Sequence, residues 1–162
     1  MSEALRDTDF AVATDERYFE DYIVGAAHEY GYETVTQDEI LVFARSYDPQ
    51  PIHTDLDFAK NGPFKGLIAS GGHTIAIMMR LYVRHYVSHA ASLASPGLDE
   101  LRWPRPLRPD DTLWLRATVL DARRSQSKPD RGLVRTSIEL FNQHDEPVLT
   151  TTTVNFLSLR NP

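Results

Sequence analysis

The chain has 162 residues, of which 41% are hydrophobic and 25% charged, and a formal charge of −6. A chain of this length can hide roughly 70% of its unfolded surface, so one globular domain with a proper core is expected. The negative balance argues against a nucleic-acid partner, and the absence of cysteine excludes disulfides, thiolate catalysis and sulfur-based zinc sites.

In chain order, Met1 to about Thr14 is polar and acidic. It lacks the basic start and apolar run of a signal peptide, so it reads as a flexible tail on a single domain spanning 1–162. Glu29 to Thr36 is rich in strand formers, with Gly31 as a weak point. Thr36 and Glu39 have capping-box spacing, and Ile40, Leu41, Phe43 and Ala44 supply the apolar face of a helix that Pro49 stops. A short helical turn is expected from Asp55 to Lys60, closed by Asn61-Gly62-Pro63.

The main helix is predicted from about Gly72 to about His89. Its first half is apolar almost all round, as in a buried helix. Arg80 and Arg84 lie four apart and mark one side that can reach water or an anion. The apolar run Ile75 to Val83 is interrupted by Arg80 and is too short for a bilayer, so a cytoplasmic protein without a membrane partner is expected.

The last third alternates with period two, after a shorter strand over Leu98 to Trp103. Leu113, Leu115, Ala117 and Val119 share one face, and Val134, Thr136, Ile138 and Leu140 another. In the last strand the face is read as Val148, Thr150, Thr152, Val154 and Phe156, and 142–146 as the hairpin turn before it. Successive strands with short turns favour an antiparallel sheet. The fold class is therefore α+β, with the sheet wrapped around the long helix.

Chemistry concentrates at Asp48-Pro49-Gln50-Pro51-Ile52-His53. Two prolines make this segment stiff, and it is read as non-helical. A carboxylate and an imidazole held toward one point suit proton transfer. Gln50 can hydrogen-bond a water or a ligand. The second element is Gly66 to Gly72, at the start of the buried helix. Small residues there let a ligand approach the backbone, and the unpaired N–H groups of the helix start can face an oxygen gaining negative charge. Ser70 reads as a helix cap, since no Gly-x-Ser-x-Gly surrounds it. His53, Asp55, His73, His85 and His89 are not read as a metal site, although His85 and His89 have helical i, i+4 spacing.

Asp48-x-Gln50-Pro51-x-His53-x-Asp55, Phe64 and Gly66-Leu67-Ile68-Ala69-Ser70-Gly71 resemble the MaoC-like dehydratases and their relatives the (R)-specific enoyl-CoA hydratases. The likeness runs from about Tyr18 to Leu157. It includes Trp103-x-Arg105-Pro106, Arg108-Pro109-x-Asp111 and Ser125 to Gly132. The resemblance implies a hotdog fold and a homodimer, or an oligomer built from dimers, with the site near the subunit interface. It also implies a hydratase or dehydratase that interconverts 2-enoyl and 3-hydroxyacyl thioesters of CoA or a carrier protein. Asp48 and His53 are then catalytic, Gln50, Ser70, Gly71 and Gly72 contact substrate, and no cofactor or metal is required. Gln50, Lys65 and His73 depart from the residues common in the family. A hotdog thioesterase and a non-catalytic acyl-CoA-binding subunit are the alternatives. Arg80, Arg84, Arg123, Arg124 and Lys128 are either ligands for CoA phosphates or a solvated face.

Overall fold

The computed structural model describes residues 10–162. Strands β1 (Ala27–Thr34), β2 (Ser92–Ala94), β3 (Leu98–Arg102), β4 (Thr112–Arg124), β5 (Arg131–Phe141) and β6 (Pro147–Ser158) make one antiparallel sheet. The order is β1-β4-β5-β6-β2, and β3 also pairs with β6. The expected inner faces of β4 and β5 are both buried. Pairing places Leu115 opposite Leu140 and Ala117 opposite Ile138, so the two sets form one apolar surface.

The expected face of β6 is corrected. Leu149, Thr151 and Thr153 sit opposite Leu140, Ile138 and Thr136 and share their inner face. Thr150, Thr152, Val154 and Phe156 therefore lie on the outer face, whereas Val148, at the register shift beside Leu140 and Phe141, is fully buried in the core. β6 has threonine or an aliphatic residue on both faces, so its own alternation does not set the phase; pairing with β5 does.

Helix α4 (Gly71–His85) lies on the inner face, where Ile77, Met78, Leu81 and Tyr82 join the core built from β4, β5 and β6. Its Met79 and Val83 side remains open in the single chain. A sheet wrapped around one long helix is the hotdog arrangement, and the α+β expectation holds. The helix ends at His85, short of the predicted His89. Buried Arg17 accounts for the stop, donating to the carbonyls of His85 at 2.9 Å and Tyr86 at 2.8 Å, as cations do at helix C-termini. His85 and His89 consequently do not share a helix.

Helix α1 (Gln37–Tyr47) starts on the expected capping box: the Glu39 N–H donates to Thr36 Oγ1 at 3.2 Å, and the Thr36 N–H donates to Glu39 Oε2 at 2.8 Å. The segment after Pro49 is not wholly extended. Pro51–Thr54 forms a single turn, α2, with Pro51 in its first position, where a missing N–H costs nothing. Asp55 then caps α3 (Leu56–Asn61) by accepting from the Phe58 N–H at 2.9 Å.

The tail expectation is corrected for Phe10 to Thr14, while 1–9 lie outside the described residues. Phe10 stacks on His28 at 4.1 Å, meets Tyr22 and Tyr86 edge-on, and has the Arg17 guanidinium 3.5 Å from its ring centre. Thr14 accepts from the His89 N–H at 2.7 Å. Among the described residues no helix is long and apolar enough to cross a membrane.

Candidate active site

Three short pieces meet at the start of α4. The first is the end of α1, where Asp48 is the cap residue and its N–H donates to the Ala44 carbonyl at 2.8 Å. Pro49 prevents another helical turn, which leaves the Asp48 side chain projecting past the helix end. The second is α2, whose turn carries His53 inward until the residue is 5% exposed. The third is the cap of α4, where Ser70 Oγ accepts from the Gly72 N–H at 3.2 Å.

These pieces converge on the Asp48 carboxylate. Ser70 Oγ donates to Oδ2 at 2.7 Å, Gln50 Nε2 donates to Oδ1 at 2.8 Å, and His53 Nε2 lies 3.4 Å from Oδ2. The hydrogen bonds from Gln50 and Ser70, with a smaller contribution from His53, hold the Asp48 pKa below its ordinary value. The carboxylate is anionic at neutral pH. His53 Nδ1 lies 2.8 Å from the Ile68 carbonyl. A carbonyl oxygen only accepts, so Nδ1 carries the hydrogen, and in the neutral ring the Nε2 lone pair faces Asp48.

Asp48, Gln50 and His53 open into a cavity of about 460 Å³. Gly71 and Gly72 line it from the helix start, Ile68 and Ala69 from the preceding segment, and Phe64 from the loop after α3. The opposite wall is Trp103-Pro104-Arg105-Pro106-Leu107. Gly71 is required sterically: a Cβ there would lie 2.8 Å from the Trp103 ring, whose Nε1 donates to the Gly71 carbonyl at 3.2 Å. As the first residue of α4, Gly71 has no carbonyl four places back within the helix to accept its N–H.

Asp48, Gln50, His53, Gly71 and Gly72 thus meet at one cavity. Ser70 does not line it; fully buried, it lies behind Asp48 and donates to its carboxylate. His73 lies outside the cavity too, stacked on Phe43 at 4.7 Å, and burial lowers its pKa. Lys65 is also absent from the lining. Arg80 and Arg84 both pair with Glu33 of β1.

The sequence assigns the wall from Trp103 to Leu107 no role in the site, although the Trp-x-Arg-Pro pattern marks it; Trp103, expected to end a strand, lies just past β3 and lines the cavity. The neighbouring Arg-Pro-x-Asp pattern braces it. Arg108 donates to the Phe64 carbonyl at 2.7 Å, and Asp111 accepts from the Arg108 N–H at 2.8 Å. Among the described residues no group of three or more histidines and carboxylates could hold a metal ion.

Helix-wrapping sheet, Asp/His pair and glycine-rich helix start together define a class of domain, and comparison with known proteins gives it a name. The model of the MaoC like domain matches residues 25–140, and the chain belongs to this family. A MaoC-like dehydratase from Rhodospirillum rubrum superimposes with a TM-score of 0.83 at 36% identity, over 90% of this chain and 99% of that one. The Bacillus subtilis protein YdeM is 28% identical over 80% of this chain and 90% of its own length. The 3-hydroxyacyl-thioester dehydratase Z of Mycobacterium tuberculosis is 40% identical over 46% of this chain and 50% of its own length, so the match spans about half of that protein.

Proposed function

We propose that the protein is a cytoplasmic hydratase or dehydratase that interconverts a 2-enoyl thioester and a 3-hydroxyacyl thioester of CoA or an acyl carrier. The observation that carries this reading is the pair of acceptors, Asp48 Oδ2 and His53 Nε2, 3.4 Å apart at one cavity. One water can donate a hydrogen to each, which leaves its lone pairs for a substrate carbon. In the hydration direction His53 Nε2 takes a proton from water while the oxygen adds to C3. The electron pair of the double bond moves toward the thioester carbonyl, whose oxygen gains charge against the Gly71 N–H. The imidazolium then returns its proton to C2, and the net addition is one water. Asp48 stays anionic and stabilises the imidazolium, and Gln50 and Ser70 fix its two oxygens. The steps use protein groups alone.

Similarity to a 3-hydroxyacyl-thioester dehydratase supports the substrate class. The open Met79 and Val83 side of α4 supports a homodimer as the working form. The test is hydration of crotonyl-CoA and longer enoyl-CoAs, followed at the enoyl absorbance, with thiol release followed in parallel. Loss of enoyl absorbance without free thiol is expected, and it should vanish in His53→Ala. Thiol release with the enoyl group intact makes the protein a thioesterase. Binding without either reaction makes it a non-catalytic acyl-CoA-binding subunit.

A further inference from the structure

A second cavity, of about 480 Å³, lies at the β4–β5 hairpin and has no part in the proposed chemistry. Arg123, Lys128 and Arg131 form its rim, Ser125 and Ser127 add hydroxyls, and Leu133 and Phe156 form its floor. The local charge opposes that of the whole chain. From 121 to 131 there are four cations (Arg123, Arg124, Lys128, Arg131) against two carboxylates (Asp121, Asp130), in a protein of net −6. Asp130 holds Arg131 at 2.8 Å, and Asp121 lies only 3.9 Å from Arg123. Lys128 forms no ion pair among the described residues, so its ammonium keeps its capacity for an anion.

The loop is also held in shape. The Ser125 N–H donates to the Arg131 carbonyl at 3.0 Å, and the Lys128 N–H donates to Ser125 Oγ at 3.2 Å. Leu133 and Phe156 are pairing partners on the outer face of the sheet, where the two half-buried apolar side chains lie side by side. A cationic rim with hydroxyls beside an apolar, part-aromatic floor is the combination that phosphates joined to a planar base would satisfy. Arg and Lys bind phosphate through charge-assisted hydrogen bonds, and an aromatic floor stacks a base with little regard for its identity.

We propose that this hairpin cavity binds a phosphorylated nucleoside, with the base on Leu133 and Phe156 and the phosphates on Lys128, Arg123 and Arg131. The inference does not depend on the proposed reaction. β4 begins close to the wall of the first cavity and ends at this hairpin, and its 13 residues rise roughly 40 Å when extended. The ligand is therefore either a free nucleotide or the nucleotide end of a CoA thioester whose acyl end lies in a second copy of the chain.

Calorimetric titration of the full chain with adenosine 3′,5′-bisphosphate decides the first point. Saturable binding is expected, weakened about tenfold or more in Lys128→Ala and in Phe156→Ala, with adenosine and inorganic phosphate each binding far more weakly. No saturable binding, or binding indifferent to Lys128→Ala, overturns the site. Inorganic phosphate binding as tightly as the bisphosphate overturns its nucleoside character. The source follows from KM for crotonyl-CoA against crotonyl-pantetheine. A rise in Lys128→Ala for the CoA ester alone assigns the site to the substrate's nucleotide, and unchanged values for both assign it to a free nucleotide. A protein that turns over neither ester but binds the bisphosphate as expected removes the hydratase reading and leaves the nucleotide site standing.

Discussion

The two ends of α4 bury polar groups in opposite ways. Around its C-terminus the buried hydroxyls of Tyr22, Tyr82 and Tyr86 have partners inside the protein. Tyr22 donates to the Tyr86 carbonyl at 2.8 Å and accepts from the Ser88 N–H at 2.9 Å, Tyr82 donates to Asn155 at 2.8 Å, and Tyr86 pairs with Thr136 at 2.8 Å. Burial pushes the Tyr22 phenol up to about 12 and raises those of Tyr82 and Tyr86 as well, so all three stay neutral. At the N-terminus the Asp48 carboxylate is driven the other way, toward its charged form. It is only partly covered, with Oδ2 beside a histidine lone pair at an open cavity. One end is closed and holds the helix in place. The other retains acceptors that no group among the described residues satisfies fully, and proton transfer needs such acceptors.

The contrast is sharpest in a pair of substitutions. Asp48→Asn replaces a carboxylate by an amide of the same size at a partly exposed position. Turnover of an enoyl thioester should fall by about 10² to 10⁴-fold, as when a carboxylate that stabilises a catalytic imidazolium loses its charge, while the melting temperature stays close to that of the parent. Arg17→Ala should do the reverse. It removes the donor to two helix-end carbonyls and the cation over Phe10. Losing these bonds, with the His85 carbonyl deprived of its side-chain donor and the Tyr86 carbonyl left to Tyr22 alone, should cost about 2–4 kcal/mol by denaturant titration, with the kcat of the remaining folded protein unchanged. A large kcat loss in Arg17→Ala at full stability would mean that the two ends are coupled through α4.

The sequence makes these ends legible to different degrees. Thr36 with Glu39, and the alternation of β4 and β5, are local signals, and local pairing carries them through to the structure. Asp48, Gln50 and His53 lie within one short segment, so their meeting follows from the two prolines and one helical turn. The Ser70 bond to Asp48 crosses 22 positions and depends on how α1 packs against α4, which no local pattern states. The wall at Trp103 is more distant still, because it needs the glycine 32 positions back at 71 to give the indole room. The phase of β6 is hidden for another reason: threonines at 150, 151, 152 and 153 put similar residues on both faces. The aromatic packing at the C-terminal end depends on Phe10 and Tyr22 reaching Tyr86 from far along the chain, and nothing in the early segment marks it.

Ser70 tests the comparison at the smallest scale, since its hydroxyl serves both stability and the site. Its oxygen caps α4 by accepting from the Gly72 N–H, and its hydrogen goes to Asp48. Ser70→Ala should lose about 1 kcal/mol of stability through the cap. It also removes the second-largest cause of the lowered Asp48 pKa, after Gln50. A carboxylate with a lowered folded pKa contributes stability that is present above its unfolded pKa and is lost as pH falls through the folded value. With Ser70 replaced, the folded pKa rises, so the Asp48 contribution is lost sooner on acidification. For the same reason the acid limb of kcat/KM should move to higher pH. A helix cap with no other role predicts the stability loss alone, with the acid limb in place, and the pH profile of Ser70→Ala separates that outcome from one in which Ser70 positions the Asp48 charge.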